Sequence, residues 1–153
     1  MPTDVATAQT LIRNLYSRYA HSLDDGDAAG FVDCFTEDAG FHPNTGPLQP
    51  DRGRFSGHDA IQGFVGATGK NRPRHLVLNL WIDVRDEMRA TAVALFMLMD
   101  TGSGDIEALG RYDDELRRDA DVWRFAEKRV QFVWQSDAYR ERADAMVTAD
   151  DVG

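Results

Sequence analysis

The second half of the chain most limits what it can fold into. Residues 74–84, 89–100, 105–118 and 122–135 form four long runs, partly β-branched or aromatic, split by Arg85-Asp86-Glu87, Thr101-Gly102-Ser103-Gly104 and Asp119-Ala120-Asp121. Connections of that length and composition make hairpins, so the runs predict an antiparallel meander. The first two runs are apolar on both parities. Leu76, Leu78, Leu80 and Ile82 stand against Val77 and Trp81, and Ala92, Ala94, Phe96 and Leu98 stand against Val93, Leu95, Met97 and Met99. A sheet with one wet face would alternate instead. One face is therefore expected to cover helices, and the other to pack on further copies as a homodimer or homotrimer through the sheet.

The first half changes period. Ala8, Leu11, Ile12, Leu15, Tyr19 and Leu23 recur at helical spacing over residues 5–24. Gly26 reads as the stop of that helix, and Asp27 as the N-cap of a short helix through Phe35, followed by an extended piece from Ala39 to His42. Pro43 to Gly53 holds three prolines and two glycines, a loop composition that suits a lid. Gly57 to Thr68 predicts a third helix with Ile61, Phe64 and Val65 on one side. Helices followed by a run of strands define an α+β domain. It is expected to occupy residues 1–140, with 141–153 a small, acidic and disordered tail.

Composition removes several function classes. Seventeen Lys plus Arg against 26 Asp plus Glu leave a formal charge of -9 on 153 residues, a field that repels phosphate backbones and argues against nucleic acid as a partner. No apolar run approaches the ~20 residues of a membrane span, and no basic-then-apolar leader opens the chain, so a soluble cytoplasmic protein is expected. Cys34, the one cysteine, sits in Phe31-Val32-Asp33-Cys34-Phe35 and reads as a buried thiol. The four histidines form no HxH or HExxH, and no GxGxxG or Walker pattern is present. Neither a metal nor a nucleotide cofactor is expected.

The candidate chemistry lies in Tyr19, Asp24 and His75. An acid in the last turn of a helix meets the negative end of the dipole, a cost of roughly 0.3–1 kcal/mol at an exposed site that a cationic partner would offset. A carboxylate reaching an imidazole makes a proton-transfer dyad: with one ring nitrogen hydrogen-bonded, the other becomes the better base. Tyr19 would donate to a substrate oxygen, and a basic side chain would hold a developing anion. The bland alternatives remain open on the residues alone: a strand histidine bonded to backbone, a solvated helix-end acid, a core tyrosine. Phe64, Trp81, Phe96, Met97, Met99 and Trp134 would shape an apolar cavity for a flat or polycyclic ligand, or are ordinary core. His42, ahead of the long loop, is a pocket or a surface residue.

Leu15-Tyr16-Ser17 leading to Leu23-Asp24, then Phe35-Thr36-Glu37-Asp38-Ala39, Arg74-His75-Leu76-Val77-Leu78-Asn79, Gly110-Arg111-Tyr112-Asp113-Asp114 and Trp123-Arg124-Phe125 occur in an order that resembles the SnoaL-like branch of the nuclear transport factor 2 superfamily, over about residues 8–135. The resemblance implies a cone in which helices close a curved antiparallel sheet around a pocket. Within that superfamily the pattern is most similar to the lyases of the scytalone dehydratase, bile-acid dehydratase and hexachlorocyclohexane dehydrochlorinase type. It implies His75 as a base, Asp24 as its orienting acid, Tyr19 as a polar pocket group and Lys128 or Arg129 as a pocket cation, with no cofactor and a small apolar cyclic substrate. The second histidine of the scytalone type is missing, because the matching stretch, Ala94-Leu95-Phe96-Met97-Leu98-Met99, is wholly apolar. That favours an elimination with a good leaving group or an isomerisation. A polyketide cyclase, and an association or ligand-binding subunit like the small subunits of ring-hydroxylating dioxygenases, are the alternatives the same resemblance carries.

Overall fold

The first helix, α1 (Val5–Asp25), begins at Asp4, whose carboxylate accepts from the backbone N–H of Ala6 at 2.8 Å and of Thr7 at 3.2 Å. Such a cap satisfies donors that the first turn cannot pair within the helix. It ends at Gly26, whose φ of 71° lies in the left-handed region, with the Asp27 N–H on the Ser22 carbonyl at 2.9 Å. Glycine occupies that region without steric cost. In this computed structural model, residues 4–46, 48, 53–66 and 73–150 are described. The elements after α1 are α2 (Ala28–Asp33), β1 (Phe35–His42), β2 (Phe55–Ser56), α3 (Gly57–Gly66), β3 (Arg74–Val84), β4 (Arg89–Met99), β5 (Ile106–Asp119), β6 (Val122–Gln135) and α4 (Asp137–Asp150).

The strands form one six-stranded sheet in the order β2-β1-β6-β5-β4-β3. From β3 to β6 it is the expected meander, and the bounds of β3 and β6 coincide with those read from the sequence. Three features differ from the sequence reading. The short second helix stops at Asp33, and β1 starts at Phe35, because that residue pairs in parallel with Phe125 of β6 and the Phe125 N–H reaches the Cys34 carbonyl at 2.8 Å. The two-residue β2 pairs with β1. Past Arg140, where a frayed tail is expected, the chain is helical: Ser136 Oγ accepts from the Tyr139 N–H at 3.1 Å, the Tyr139 ring packs on Phe132, and Arg142 pairs with Glu107. Alanine, glutamate and arginine favour helix there. Pro43–Gly46, Leu48 and Gly53 are the described part of the expected lid, and the end of the expected third helix, residues 67 and 68, lies outside the described residues.

Alternation divides the sheet into two faces. Ala90, Ala92, Ala94, Phe96 and Leu98 of β4, with Tyr112, Asp114 and Leu116 of β5, are buried towards the helices. Leu78, Trp81, Leu95, Ile106, Leu109, Val133 and Trp134 are exposed. Gly110 lets the inner layer close, since a Cβ there would lie 2.2 Å from Cζ of Phe96 and 2.5 Å from the Gln131 carbonyl oxygen. Phe96 is held in that position by stacking on Tyr112, with centroids 4.6 Å apart. Gly110→Ala is therefore expected to cost about 1–3 kcal/mol by overpacking. Urea unfolding measures this, and an unchanged midpoint would show that the ring can move aside freely.

Candidate active site

The end of α1 and the start of β3 are joined by two adjacent acid–base pairs. Asp25 Oδ1 accepts from Arg74 Nη1 at 2.8 Å, and Asp24 Oδ1 lies 2.6 Å from His75 Nδ1. The other Asp24 oxygen accepts from the backbone N–H of His75 at 3.0 Å. One carboxylate thus fixes both the ring and the main chain of the same residue. The last turn of α1 contains no basic residue of its own, so the cations facing its negative end come from β3. The dyad is largely shielded, with side-chain exposures of 14% for His75 and 6% for Asp24. A carboxylate on Nδ1 selects the tautomer that carries its proton there, leaving the lone pair on Nε2.

His75 borders a cleft of about 370 Å³ between α1 and β3, within the size range of small-molecule sites. From α1 come Arg13, Tyr16, Ser17, Ala20, His21 and Asp24, which lie on one stripe of the helix. From β3 come His75, Val77, Asn79 and Leu80. Asn79 and Leu80 are consecutive, and a regular strand would send one of them to the other face. The pairing of β3 with β4 is irregular between Leu78 and Trp81, and Asn79 has φ 52°. A bulge in the edge strand thus lets Leu80 border the cleft beside Asn79, which already shares the parity of His75 and Val77.

A second constellation lies deeper. Lys128 Nζ donates to Asp114 Oδ2 at 2.9 Å, and neither side chain has any exposed surface. The Tyr16 hydroxyl donates to the same carboxylate oxygen, and the Arg129 backbone N–H reaches Oδ1 at 3.2 Å. The ammonium lies 3.6 Å from the ring centre of Tyr112, 4.4 Å from those of Tyr19 and Phe125, and 5.0 Å from that of Tyr16. Burial pushes the Asp114 carboxyl up and pulls the Lys128 ammonium down. Three donors on Asp114 and the ring faces around Lys128 oppose those shifts. Burial, followed by the nearby Asp114 charge, also raises the Tyr19 hydroxyl well above the usual tyrosine range.

The structure therefore brings Asp24 and His75 together as expected, and gathers Tyr19 and Lys128 in a buried cluster in which only Tyr16 borders the cleft. Arg129 points away from Lys128 and lies 4.0 Å from Glu115. His42 bonds Glu127 at 3.1 Å, and Arg54 holds the same acid. Phe64 packs on Phe41 and Phe55, and Phe96 belongs to the inner layer. Met97 and Met99 pair with Leu109 and Ile106 on the outer face, Trp134 lies opposite Leu109, and Trp81 is 72% exposed. None of these borders the cleft. Two sets of residues carried no site role in the sequence reading. Arg13, Ser17 and His21 were legible as a polar stripe leading to Asp24 at helical spacing. Asp114 was legible as an acid at an inward position of β5, two residues beyond Tyr112.

Fold and junction together define a cystatin-like or nuclear-transport-factor-2-like cone with a histidine–aspartate pair where its first helix meets an edge strand. The chain belongs to the SnoaL-like domain family, whose profile matches residues 4–129. Among solved structures it is similar to a variant of Rv3472, a protein of unknown function from Mycobacterium tuberculosis, with 24% identity, TM-score 0.74, and 93% of this chain and 87% of that one covered. A candidate scytalone dehydratase from Novosphingobium aromaticivorans gives 18% identity and TM-score 0.72 over 86% and 88% of the two chains. A type 2 hexachlorocyclohexane dehydrochlorinase, LinA, gives 14% and 0.69, also over 86% and 88%. At these identities the likeness is one of fold. No curated protein sequence matches the chain.

The buried pair generates a stability prediction. Removing one partner strands a charge without water, so Lys128→Met alone should cost about 3–5 kcal/mol. The double change Lys128→Met with Asp114→Leu should recover part of that loss, since Tyr16 and the Arg129 N–H lose their acceptor. Denaturant midpoints of the three proteins test this, and a single variant as stable as the wild type would show that Asp114 finds another partner.

Proposed function

We propose that the protein is a cofactor-independent lyase or isomerase that removes a proton from carbon. The observation that carries this reading is the two-point contact of Asp24 with the side chain and backbone of His75 at the edge of a cleft. His75 Nε2 takes the proton of a C–H beside a carbonyl or across from a leaving group. The C–H electron pair moves into an enolate or expels the leaving group, and the Asp24 carboxylate stabilises the imidazolium. Reprotonation of the enolate at another carbon completes an isomerisation, and attack on an internal carbonyl would complete a cyclase reaction. Membership of the SnoaL-like family and the fold shared with a dehydrochlorinase support the elimination branch.

His75→Gln should leave the far-ultraviolet circular dichroism unchanged and abolish solvent deuterium incorporation into carbon acids exchanged by the wild type. A positioned base contributes ~10²–10⁴-fold, so Asp24→Asn, which loses the orienting charge, should lie between the two. Near-normal exchange by His75→Gln would sink the assignment.

A second feature bears on assembly. Trp81, Val133 and Leu95 are exposed on the outer sheet face beside Arg111, Asp113, Glu115 and Arg129. A patch holding apolar groups and both signs of charge can complement itself across a two-fold axis. We assign that face to a second copy of this chain. Sedimentation at micromolar concentration should show a dimer that Trp81→Asp dissociates. A wild-type monomer refutes the assignment, and co-purification with a large second chain would favour an association subunit instead.

A further inference from the structure

The cleft beside His75 is walled by polar groups, and their arrangement describes a ligand. Among the described cations, only Arg13, Arg111 and Arg140 make no ion pair with an acid. Arg111 is on the outer sheet face and Arg140 on α4, whereas Arg13 borders the cleft. An exposed arginine without an ion pair in a chain of net charge -9 leaves a cation open to a ligand. Its guanidinium suits a carboxylate or phosphate, which it binds through paired N–H donors.

The groups between Arg13 and the dyad continue the pattern. Ser17, which also donates to the Arg13 carbonyl at 3.3 Å, and His21 follow on the same stripe of α1. Opposite them Asn79, at the bulge in β3, also borders the cleft, at a φ of 52° that asparagine tolerates better than most residues. No protein partner among the described residues takes up its amide. A backbone conformation of this kind beside a cleft is a sign of use by a ligand. Along α1, Arg13 and Asp24 are eleven residues apart, or ~16 Å at ~1.5 Å per residue.

We infer that the cleft takes an elongated, anionic substrate. Its carboxylate or phosphate end is held by Arg13, its middle is hydrogen-bonded by Ser17, His21 and Asn79, and its carbon acid lies at His75, roughly 10 Å or more from the anion. This inference rests on the catalytic reading of His75 for the identity of the reacting end, and on Arg13 and the bulge for the rest. It replaces the apolar cyclic ligand suggested by Phe64, Trp81 and Trp134, none of which borders the cleft. Because the protein as a whole repels anions at long range, recognition must come from the local cation.

The test is binding, which is independent of turnover. Octanoate, octyl phosphate and uncharged octanamide are titrated into the full chain, with side-chain NMR shifts of Arg13 and His75 as the readout. The anions should shift Arg13 and bind ~10-fold or more tightly than the amide, as a charge-assisted contact allows. Arg13→Gln should erase that preference, and His75→Gln should retain it. A preference for octanoate over octyl phosphate, or the reverse, identifies the anion. Equal affinity for anion and amide, a preference that survives Arg13→Gln, or no binding by any of the three would overturn the inference. A preserved preference combined with normal deuterium exchange by His75→Gln would instead overturn the catalytic reading and leave the anion site standing.

Discussion

An ammonium without water contact, paired with an equally dry carboxylate, governs how the rest of this protein is arranged. Lys128 and Asp114 are on neighbouring strands, directly opposite each other in the β5–β6 register. Separation of the two would leave a charge in the core, so the register is specified strongly at that point. The third member, Tyr16, reaches the same carboxylate from α1. Its hydroxyl fixes the rotation of the helix about its own axis, while its ring borders the cleft. A helix held in that rotation presents Arg13, Ser17, His21 and Asp24 towards β3. The buried pair is thus linked to the candidate active site without touching it.

The same arrangement fills the interior of the cone around Lys128 with aromatic rings. Tyr19, Tyr112 and Phe125 crowd the ammonium, Phe96 stacks on Tyr112, and Phe31 and Phe35 close on Tyr19. These rings bury the area that stabilises the domain and leave the Lys128 charge fully engaged. Arg13, which makes no ion pair among the described residues, lies between α1 and β3 instead. Family membership fixes the cone but not which of its spaces is used, since a single fold carries many chemistries in differently lined sites.

Legibility in the sequence followed the range of each interaction. The α1 stripe and the long strands could be read because periodicity within one segment reports burial directly, and the Asp24–His75 contact followed from a resemblance spanning both positions. The parallel pairing of β1 with β6 could not be read, because it joins segments some ninety residues apart with no turn between them to announce it. Lys128 looked like a pocket cation among charged neighbours, Glu127 and Arg129. Only strand parity, set by the bulge between Glu115 and Leu116, decides that it faces inward while they do not. The outward tryptophans were read as cavity walls for the same reason: composition gives the apolar residue, and register gives the face.

β3 is the last strand of the sheet, and an open edge invites pairing with other chains unless something covers it. The C-terminal turns of α1 supply that cover. Covering an edge with a helix end places a negative dipole against the first residues of the strand, where Arg74 and His75 are the natural partners for Asp25 and Asp24. The same edge position permits the bulge at Asn79, because only β4 has to accommodate the broken register. An interior strand would pass that defect to a neighbour on each side. The need to close the sheet and the freedom of its last strand therefore converge at one place, and the acid–base pair, the bulged amide and the unpaired guanidinium border the same cleft there.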